Sequence, residues 1–473
     1  MKRIIFLPLL LALPIVSSAI DLVIANGRVM DPETRLDAIR HLGITDGQIT
    51  HVSQTPLNGG RTIDATGLVV APGFIDLHQH AQDELTYQLK ARDGVTTALE
   101  LELGAADVDA WYREREGKLP INHGVSIGHV KVRMMVMGHQ PSFVPGADTD
   151  AAKKEAEPED LARLKAGVEK GLRRGALAVG FGIAYTPSAT RIEITEMFRV
   201  AAKYQAPCHV HLRRSSESFE SGAIGPFQEV LATALVTGAP LHIVHMQATG
   251  KRNTYELLRM VKAAQAKGLD LSAEVYPYTA GMTDIQAAIF DPGWRARFGL
   301  DYHDMQWAKT GERMTAETFA KYRKIGGMIV LHTNPESLVR DAVADSATLV
   351  ASDGLIGHPR NAGTFSRVLG YYVREQQAIS LMEGLRKITL LPARRLEKRA
   401  PMFLKKGRLQ VGCDADITVF DAAQIIDRAT YLKPRTASTG IRFVLVDGQA
   451  VVVDGKFQPE IKAGKAARAP IAE

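Results

Sequence analysis

Two textures of apolar and polar positions divide the chain. Residues 21–29 and 42–52 alternate apolar with polar side chains, and Asn26-Gly27 and Asp46-Gly47 punctuate them as hairpin turns do. Residues 415–420 and 443–453 repeat that alternation at the other end. A small β-sandwich domain built from both chain ends, residues 20–71 with 406–473, is therefore expected. Between 72 and 405 apolar runs alternate with helical patterns. The clearest helix begins at Glu157-Pro158 and stops at Gly175, with Leu161, Leu164, Val168 and Leu172 at helical spacing. It feeds the run 176–180. Helical stretches over 193–204, 227–236 and 255–266 lead to the apolar runs 208–211, 241–245 and 271–276. Repeated strand-helix units of this length predict an α/β fold with a parallel sheet and helices outside. Closed as a TIM-like (β/α)8 barrel, it gathers all its strand ends on one face. Residues 281–324, rich in Asp, Trp, Arg and Met, break the pattern as an insertion that either covers the barrel mouth or makes a plain surface excursion. After Glu460 the chain is small and polar, and a frayed tail is expected.

Composition narrows the class. The chain has 473 residues, long enough for a barrel with an attached domain. Lys2 and Arg3 precede an uncharged apolar run over 4–16, closed by Ser17-Ser18-Ala19. This is a signal-peptide pattern over residues 1–19, too short for a membrane span, and it predicts a periplasmic or secreted protein. Its loss would lower the formal charge of +6 by two. No further run is long enough to cross a membrane. The pI near 9.1 does not imply a nucleic-acid partner, because Lys and Arg are scattered among Asp and Glu without interleaved aromatics. Cys208 and Cys413, the only cysteines, make no disulfide framework, and Cys208 reads as a buried small hydrophobe. Oligomeric state leaves no signal in the pattern.

The chemistry sits where apolar runs end. The run 69–77 closes on His78 and His80, which leave a strand on one face and present imidazole in metal-ligand geometry. In 96–103 the alternation places Glu100 and Glu102 opposite Leu99, Leu101 and Leu103. Carboxylates inside an apolar strand call for a cation or a metal, with a rim ion pair as the plainer alternative. His211 follows Val210, with His209 pointing the other way, and His245 ends its run three residues after His242. Either alone would read as a hydrogen-bonded core histidine; with the first pair they complete a His-rich set at four strand ends. Asp353, in Ser352-Asp353-Gly354, can move a proton between water and a leaving amine, or serve as a turn cap.

With these residues in place, the chain resembles the metal-dependent amidohydrolase superfamily, and within it the N-acyl-D-amino-acid deacylases, or D-aminoacylases. The resemblance is carried by the segment 72–80, Gly94-Val95-Thr96-Thr97, Gly128-His129, the stretch from Gly175 to Pro187, and His211-Leu212-Arg213. It continues in Tyr276-Pro277-Tyr278, Ser352-Asp353-Gly354, His358-Pro359-Arg360, the segment 363–370 and Leu391-Pro392-Ala393. It implies zinc, one or two divalent ions, held by His211, His245 and a strand-two ligand, with His78 and His80 forming a neighbouring site. It further implies Asp353 as general acid/base, Arg360 as the partner of a substrate carboxylate, and Tyr185 and Tyr278 lining the acyl-amide pocket. Arg360 as a surface ion pair stays open. The chain departs from the family pattern twice. Glu102-Leu103-Gly104 stands where these deacylases usually have Asn-Cys-Gly, so the strand-two ligand is Glu102 or Glu100. Gln247, in Val244-His245-Met246-Gln247, replaces a usual lysine and makes that substrate contact neutral. The expectation is a metallohydrolase acting on small N-acyl amino acids of the D series or on related peptides. A dipeptidase or cyclic-amide hydrolase on the same scaffold, or a relative that binds metal or ligand without catalysis, are the alternatives.

Overall fold

The computed structural model describes residues 19–213 and 222–472. The leader expected over 1–19 lies, except for Ala19, outside the described residues. Eight strands form the barrel: β1 (Phe74–Asp76), β2 (Val95–Ala105), β3 (Asn122–Gly128), β4 (Val179–Gly182), β5 (Cys208–His211), β6 (Leu241–Ile243), β7 (Leu271–Val275) and β8 (Thr348–Val350). Each pairs in parallel with its neighbour in sequence, from β1 through to β8. The helices Pro158–Arg173, Arg191–Lys203, Ile224–Thr237 and Thr254–Ala266 lie where their periodicity predicts. Pro158 opens the first of them, and Leu164, Val168 and Leu172 are its buried stripe.

The seam between β8 and β1 is closed just past the strand ends. The Gly354 N–H donates to His78 O at 3.1 Å, and His80 N–H donates to Gly354 O at 3.0 Å. Beneath that bridge, Asp76 accepts from Ser352 N (2.9 Å), Ser352 Oγ (2.6 Å) and Lys90 Nζ (2.8 Å). Asp76 and Lys90 are both completely buried. Removing one partner of such a pair strands a charge in the interior, so Asp76→Ala is expected to lower unfolding stability by about 3 kcal/mol. Urea denaturation of the two proteins side by side measures this.

The apolar run 69–77, which reads as one strand, divides at Gly73. Val69–Pro72 pairs antiparallel with Ile417–Phe420 and parallel with Leu22–Asp31, whereas Phe74–Asp76 enters the barrel. The chain passes so close to Thr96 that a Cβ on Gly73 would lie 2.2 Å from its Oγ1, which holds the transition to glycine. Both chain ends thus contribute to one nine-stranded sheet, off the barrel, around the apolar core of Leu22, Ile24, Leu42, Ile44, Ile417 and Leu445. Glu33 ties this sheet to the barrel. It takes a forked pair of bonds from Arg408 (2.7 and 2.9 Å) and single bonds from Arg394 (3.1 Å) and Gln410 (3.0 Å). The Arg408 bonds outweigh partial burial and bring its carboxyl down to about 2. A depressed carboxyl contributes stability above its unfolded pKa and loses it as pH falls toward the folded value. The melting temperature is therefore expected to fall less in Glu33→Gln than in the parent between about pH 4.5 and 2.

The insertion forms an antiparallel sheet of Ala280–Asp284, Met305–Trp307 and Met328–His332, so it extends to residue 332. Its own aromatic core includes Phe290, Trp294, Phe319 and the stacked pair Trp307 and Tyr322. The tail differs from expectation. Ala463, Ala467 and Ala469 are buried, Tyr112 Oη donates to Ala467 O at 2.7 Å, and Ala467 N donates to His123 O at 2.7 Å. Small side chains permit this approach: a Cβ on Gly464 would meet Ile121 O at 2.1 Å. Composition suggests fraying, but here it fits a backbone seated against the barrel.

Candidate active site

At the C-terminal mouth of the barrel, four histidines and two carboxylates converge. They form two donor groups, His78, His80, Glu102 and Asp353 in one and Glu102, His211 and His245 in the other, with the ligand atoms of each within 4.8 Å of one another. Glu102 is common to both. Its Oε2 lies 3.0 Å from His78 Nε2 and 2.9 Å from His80 Nε2. Its Oε1 lies 2.8 Å from His211 Nδ1 and 3.4 Å from His245 Nε2. Asp353 Oδ1 completes the first group at 3.5 Å from His78 Nε2 and 3.4 Å from His80 Nε2.

Sequence-local geometry sets these directions. His245 and Asp353 follow β6 and β8 in left-handed backbone, at φ 32° and 48°. Asp tolerates that region better than most residues, and such conformations persist where the surroundings over-determine them. The bridge made by Gly354 then holds Asp353 facing the histidines across the seam.

The donor set fits divalent cations. His78 Nδ1 and His80 Nδ1 each face a carboxylate, Glu274 at 2.5 Å and Glu100 at 2.7 Å, and a carboxylate only accepts. With those nitrogens protonated in the neutral tautomer, both Nε2 atoms are bare. Two lone pairs and two carboxylate oxygens then point at one another, an arrangement that repels unless positive charge lies between them. The same field acts on protons: burial pushes His78 down, but Glu274, Asp353 and Glu102 overcome it and raise it to about 10. Burial works against ionisation of Asp353, yet Arg360 and the histidines bring it down to about 2. Glu102 is likewise held well below the usual carboxylate range, against its burial, by His78, His211 and His245.

A cavity of about 460 Å³ opens onto these groups, with His80, Glu102, His211, His245, Asp353 and Tyr185 in its wall. The insertion supplies the far side through Met282, Ile289, Phe298 and Leu300, so it covers the mouth. Glu100 falls outside both donor groups. Its Oε2 faces His80 Nδ1, and its Oε1 accepts from the backbone of Leu103 (3.0 Å) and Gly104 (3.3 Å). Arg360 is fully buried behind Asp353, not on the surface. Its Nη2 lies 2.9 Å from Asp353 Oδ2 and its guanidinium carbon 4.5 Å from the Tyr276 ring centroid. Tyr278 and Gln247 do not line the cavity. The Tyr278 hydroxyl donates to Asp427 at 3.1 Å, and Gln247 Nε2 donates to Tyr276 O at 2.8 Å.

His209 does not point away from His211. Residues two apart in a strand share a face, and His209 lies one layer deeper in the barrel, its ring 4.3 Å from that of His242. Glu274 is the residue that sequence reasoning passes over. Its signal is the one that singles out Glu100 and Glu102, a carboxylate inside an apolar strand, here in Leu271-Ser272-Ala273-Glu274-Val275.

An eight-stranded parallel barrel with imidazole and carboxylate donors at its C-terminal mouth defines a metal-dependent barrel hydrolase. The chain belongs to the amidohydrolase family, whose Amidohydro_3 model matches residues 139–452. It is 29% identical over 490 residues to an N-acyl-D-glutamate deacylase of Alcaligenes xylosoxydans xylosoxydans, covering 91% of this chain and 93% of that one. It is 28% identical over 494 residues to a D-aminoacylase of the same organism, covering 93% and 96%. Among solved structures it is similar to the N-acyl-D-glutamate deacylase of Bordetella bronchiseptica complexed with zinc and a phosphonate inhibitor that mimics the tetrahedral intermediate of the reaction. That match has a TM-score of 0.80 and 25% identity, and covers 95% of this chain and all of that one.

Proposed function

We propose that this protein hydrolyses the amide bond of N-acyl-D-amino acids. Zinc is the cation we assign, one or two ions, which His78, His80 and Glu102 would hold on one side of the Glu102 carboxylate and His211 and His245 on the other, with Asp353 beside the first group as the base. The observation that carries this reading is the shared Glu102, with each oxygen facing a pair of imidazoles. A divalent cation supplies Lewis acidity there, lowering the pKa of water and polarising the scissile carbonyl.

The residues of the chain supply the rest. Asp353, ionised beside Arg360, takes the proton of the attacking water at Oδ1 and returns it to the departing nitrogen. Glu100 holds the ring of His80 and fixes which nitrogen faces the site. The family resemblance supports Arg360 as partner of the substrate carboxylate; it stands behind the cavity wall, fully buried, with its Nη2 2.9 Å from Asp353 Oδ2. Tyr185, whose hydroxyl lies 3.2 Å from Thr283 Oγ1, closes the acyl side of the cavity. The D series is supported by relatives named as deacylases of N-acyl-D-glutamate and as D-aminoacylase. The leader pattern supports a periplasmic or secreted mature protein.

The test is a panel of N-acyl-D- and N-acyl-L-amino acids beside dipeptides and cyclic amides, run with metal stoichiometry on the purified mature protein. Turnover confined to linear N-acyl-D-amino acids is the expected result. Turnover of dipeptides or lactams alone would transfer the assignment to those substrates, and bound metal without any turnover would leave a binding protein.

A further inference from the structure

Beneath the metal-binding mouth, a file of buried and half-buried polar groups crosses the barrel interior. It runs from His78 through Glu274, His242 and Ser272 to Arg395. His78 Nδ1 and Glu274 Oε1 are 2.5 Å apart, Glu274 Oε2 and His242 Nε2 2.9 Å, His242 Nδ1 and Ser272 Oγ 2.7 Å, and Ser272 Oγ and Arg395 Nη1 3.3 Å. Arg395 is itself tied to Asp270 at 2.7 Å, and with Ser272 it lines a cavity of about 300 Å³ at the opposite mouth of the barrel. His242 and Glu274 are almost completely buried, far below the level at which polar groups are normally left unless bonded.

The chemistry allows one direction for the hydrogens along this file. Glu274 only accepts, so His242 donates to it from Nε2, the bare His242 Nδ1 takes the hydrogen of Ser272 Oγ, and Ser272 Oγ accepts in turn from Arg395. Glu274 accepts at both oxygens, which requires His78 to donate from Nδ1 and turns Nε2 toward Glu102 and Asp353, as the nitrogen that a cation would take in place of a proton. These tautomers are assigned from the hydrogen-bond network.

We propose that Ser272, with Arg395 behind it, is a positioning residue that holds His242 against Glu274 and so steadies the tautomer of His78 from the far side of the barrel. The inference rests on the proposed role of His78 as a metal ligand. Neither Ser272 nor Arg395 touches substrate or cation; each acts through His242 and Glu274. Without the hydroxyl, Glu274 alone holds His242 in the Nε2-protonated form, and the Nδ1 tautomer becomes accessible. A bare Nε2 would then face the Glu274 carboxylate, and the carboxylate would lose the bond that holds it against His78.

Ser272→Ala and Ser272→Thr test this by two readouts that need no turnover. In chelator competition with zinc, Ser272→Ala is expected to bind the weaker of its ions about ten-fold less tightly, the loss usual for groups that orient a metal-ligating histidine, while Ser272→Thr recovers parental affinity. In metal-free protein labelled with ¹⁵N-histidine, the imidazole shifts are expected to report His242 protonated at Nε2 in the parent and in Ser272→Thr, and mixed tautomers in Ser272→Ala. Parental affinity and an unchanged His242 tautomer in Ser272→Ala would overturn the proposal. So would a Thr variant as impaired as the Ala variant. If the parent binds no zinc, the metal assignment fails, and the tautomer measurement still decides whether Ser272 sets the file.

Discussion

Replacing Glu102 by Gln is expected to lower kcat/KM by about 10³, a loss of about 4 kcal/mol of transition-state stabilisation, and to reduce the zinc bound per chain by at least one ion. The argument is one of charge and orientation. Both carboxylate oxygens are occupied, Oε2 toward His78 and His80, and Oε1 toward His211 and His245. An amide has one acceptor oxygen. Whichever way Gln turns, its NH2 faces a pair of imidazoles where an ionised oxygen stood. One donor group therefore loses its oxygen ligand and its affinity together, and the other keeps a neutral oxygen in place of an ionised one. The change is nearly isosteric and relieves a buried charge, so unfolding of the metal-free protein is expected to change little. That separates a metal defect from a folding defect. Elemental analysis of the purified variant beside steady-state kinetics measures both quantities, and two ions with parental kcat/KM would remove Glu102 from the role given to it.

How much of this site is legible in the sequence depends on how locally each residue is placed. His78, His80, Glu102, His211 and His245 announce themselves because a polar side chain at or inside an apolar strand is costly without a partner, and the barrel gathers strand ends on one face. The parallel strands and their helices follow from periodicity for the same reason. What is not legible is set by three-dimensional neighbours. Strand alternation puts Glu100 and Glu102 on one face and cannot say which of them meets the histidines and which stands behind His80. That distinction comes from the backbone amides of Leu103 and Gly104, which hold Glu100. Tyr278 and Gln247 lie near the site in sequence, yet their hydrogen bonds turn them to Asp427 and to the Tyr276 carbonyl. Arg360 reads equally well as a surface cation, because nothing local records that its helix, Arg360–Arg367, is buried along almost its whole length. The division of the first apolar run at Gly73 and the seating of the tail against β3 are contacts between segments far apart in sequence, to which periodicity is blind.

Asp353→Asn is the sharper test of chemistry, because it leaves almost everything else in place. Asn matches Asp in size and accepts left-handed backbone, so the turn at φ 48° that aims residue 353 into the mouth is preserved. Its side-chain oxygen can still face His78 and His80, and the remaining donors of both groups are untouched, so bound zinc is expected to stay close to the parental amount. What the variant lacks is a base. In the parent the carboxylate is held down to about 2, hence ionised at every pH at which the protein would work. An amide cannot accept the water's proton or return it to the leaving nitrogen. The expected result is a fall in kcat of about 10³, within the range for loss of a positioned general acid/base, with KM much less affected. Some loss of stability is expected too, because the buried Arg360 guanidinium, 2.9 Å from Asp353 Oδ2, exchanges an ionised partner for a neutral one. Measuring kcat, KM, zinc content and the melting temperature on the same preparation separates these effects. Parental kcat with full zinc would show that the proton moves through another group, whereas loss of zinc in step with activity would make Asp353 a ligand before it is a base.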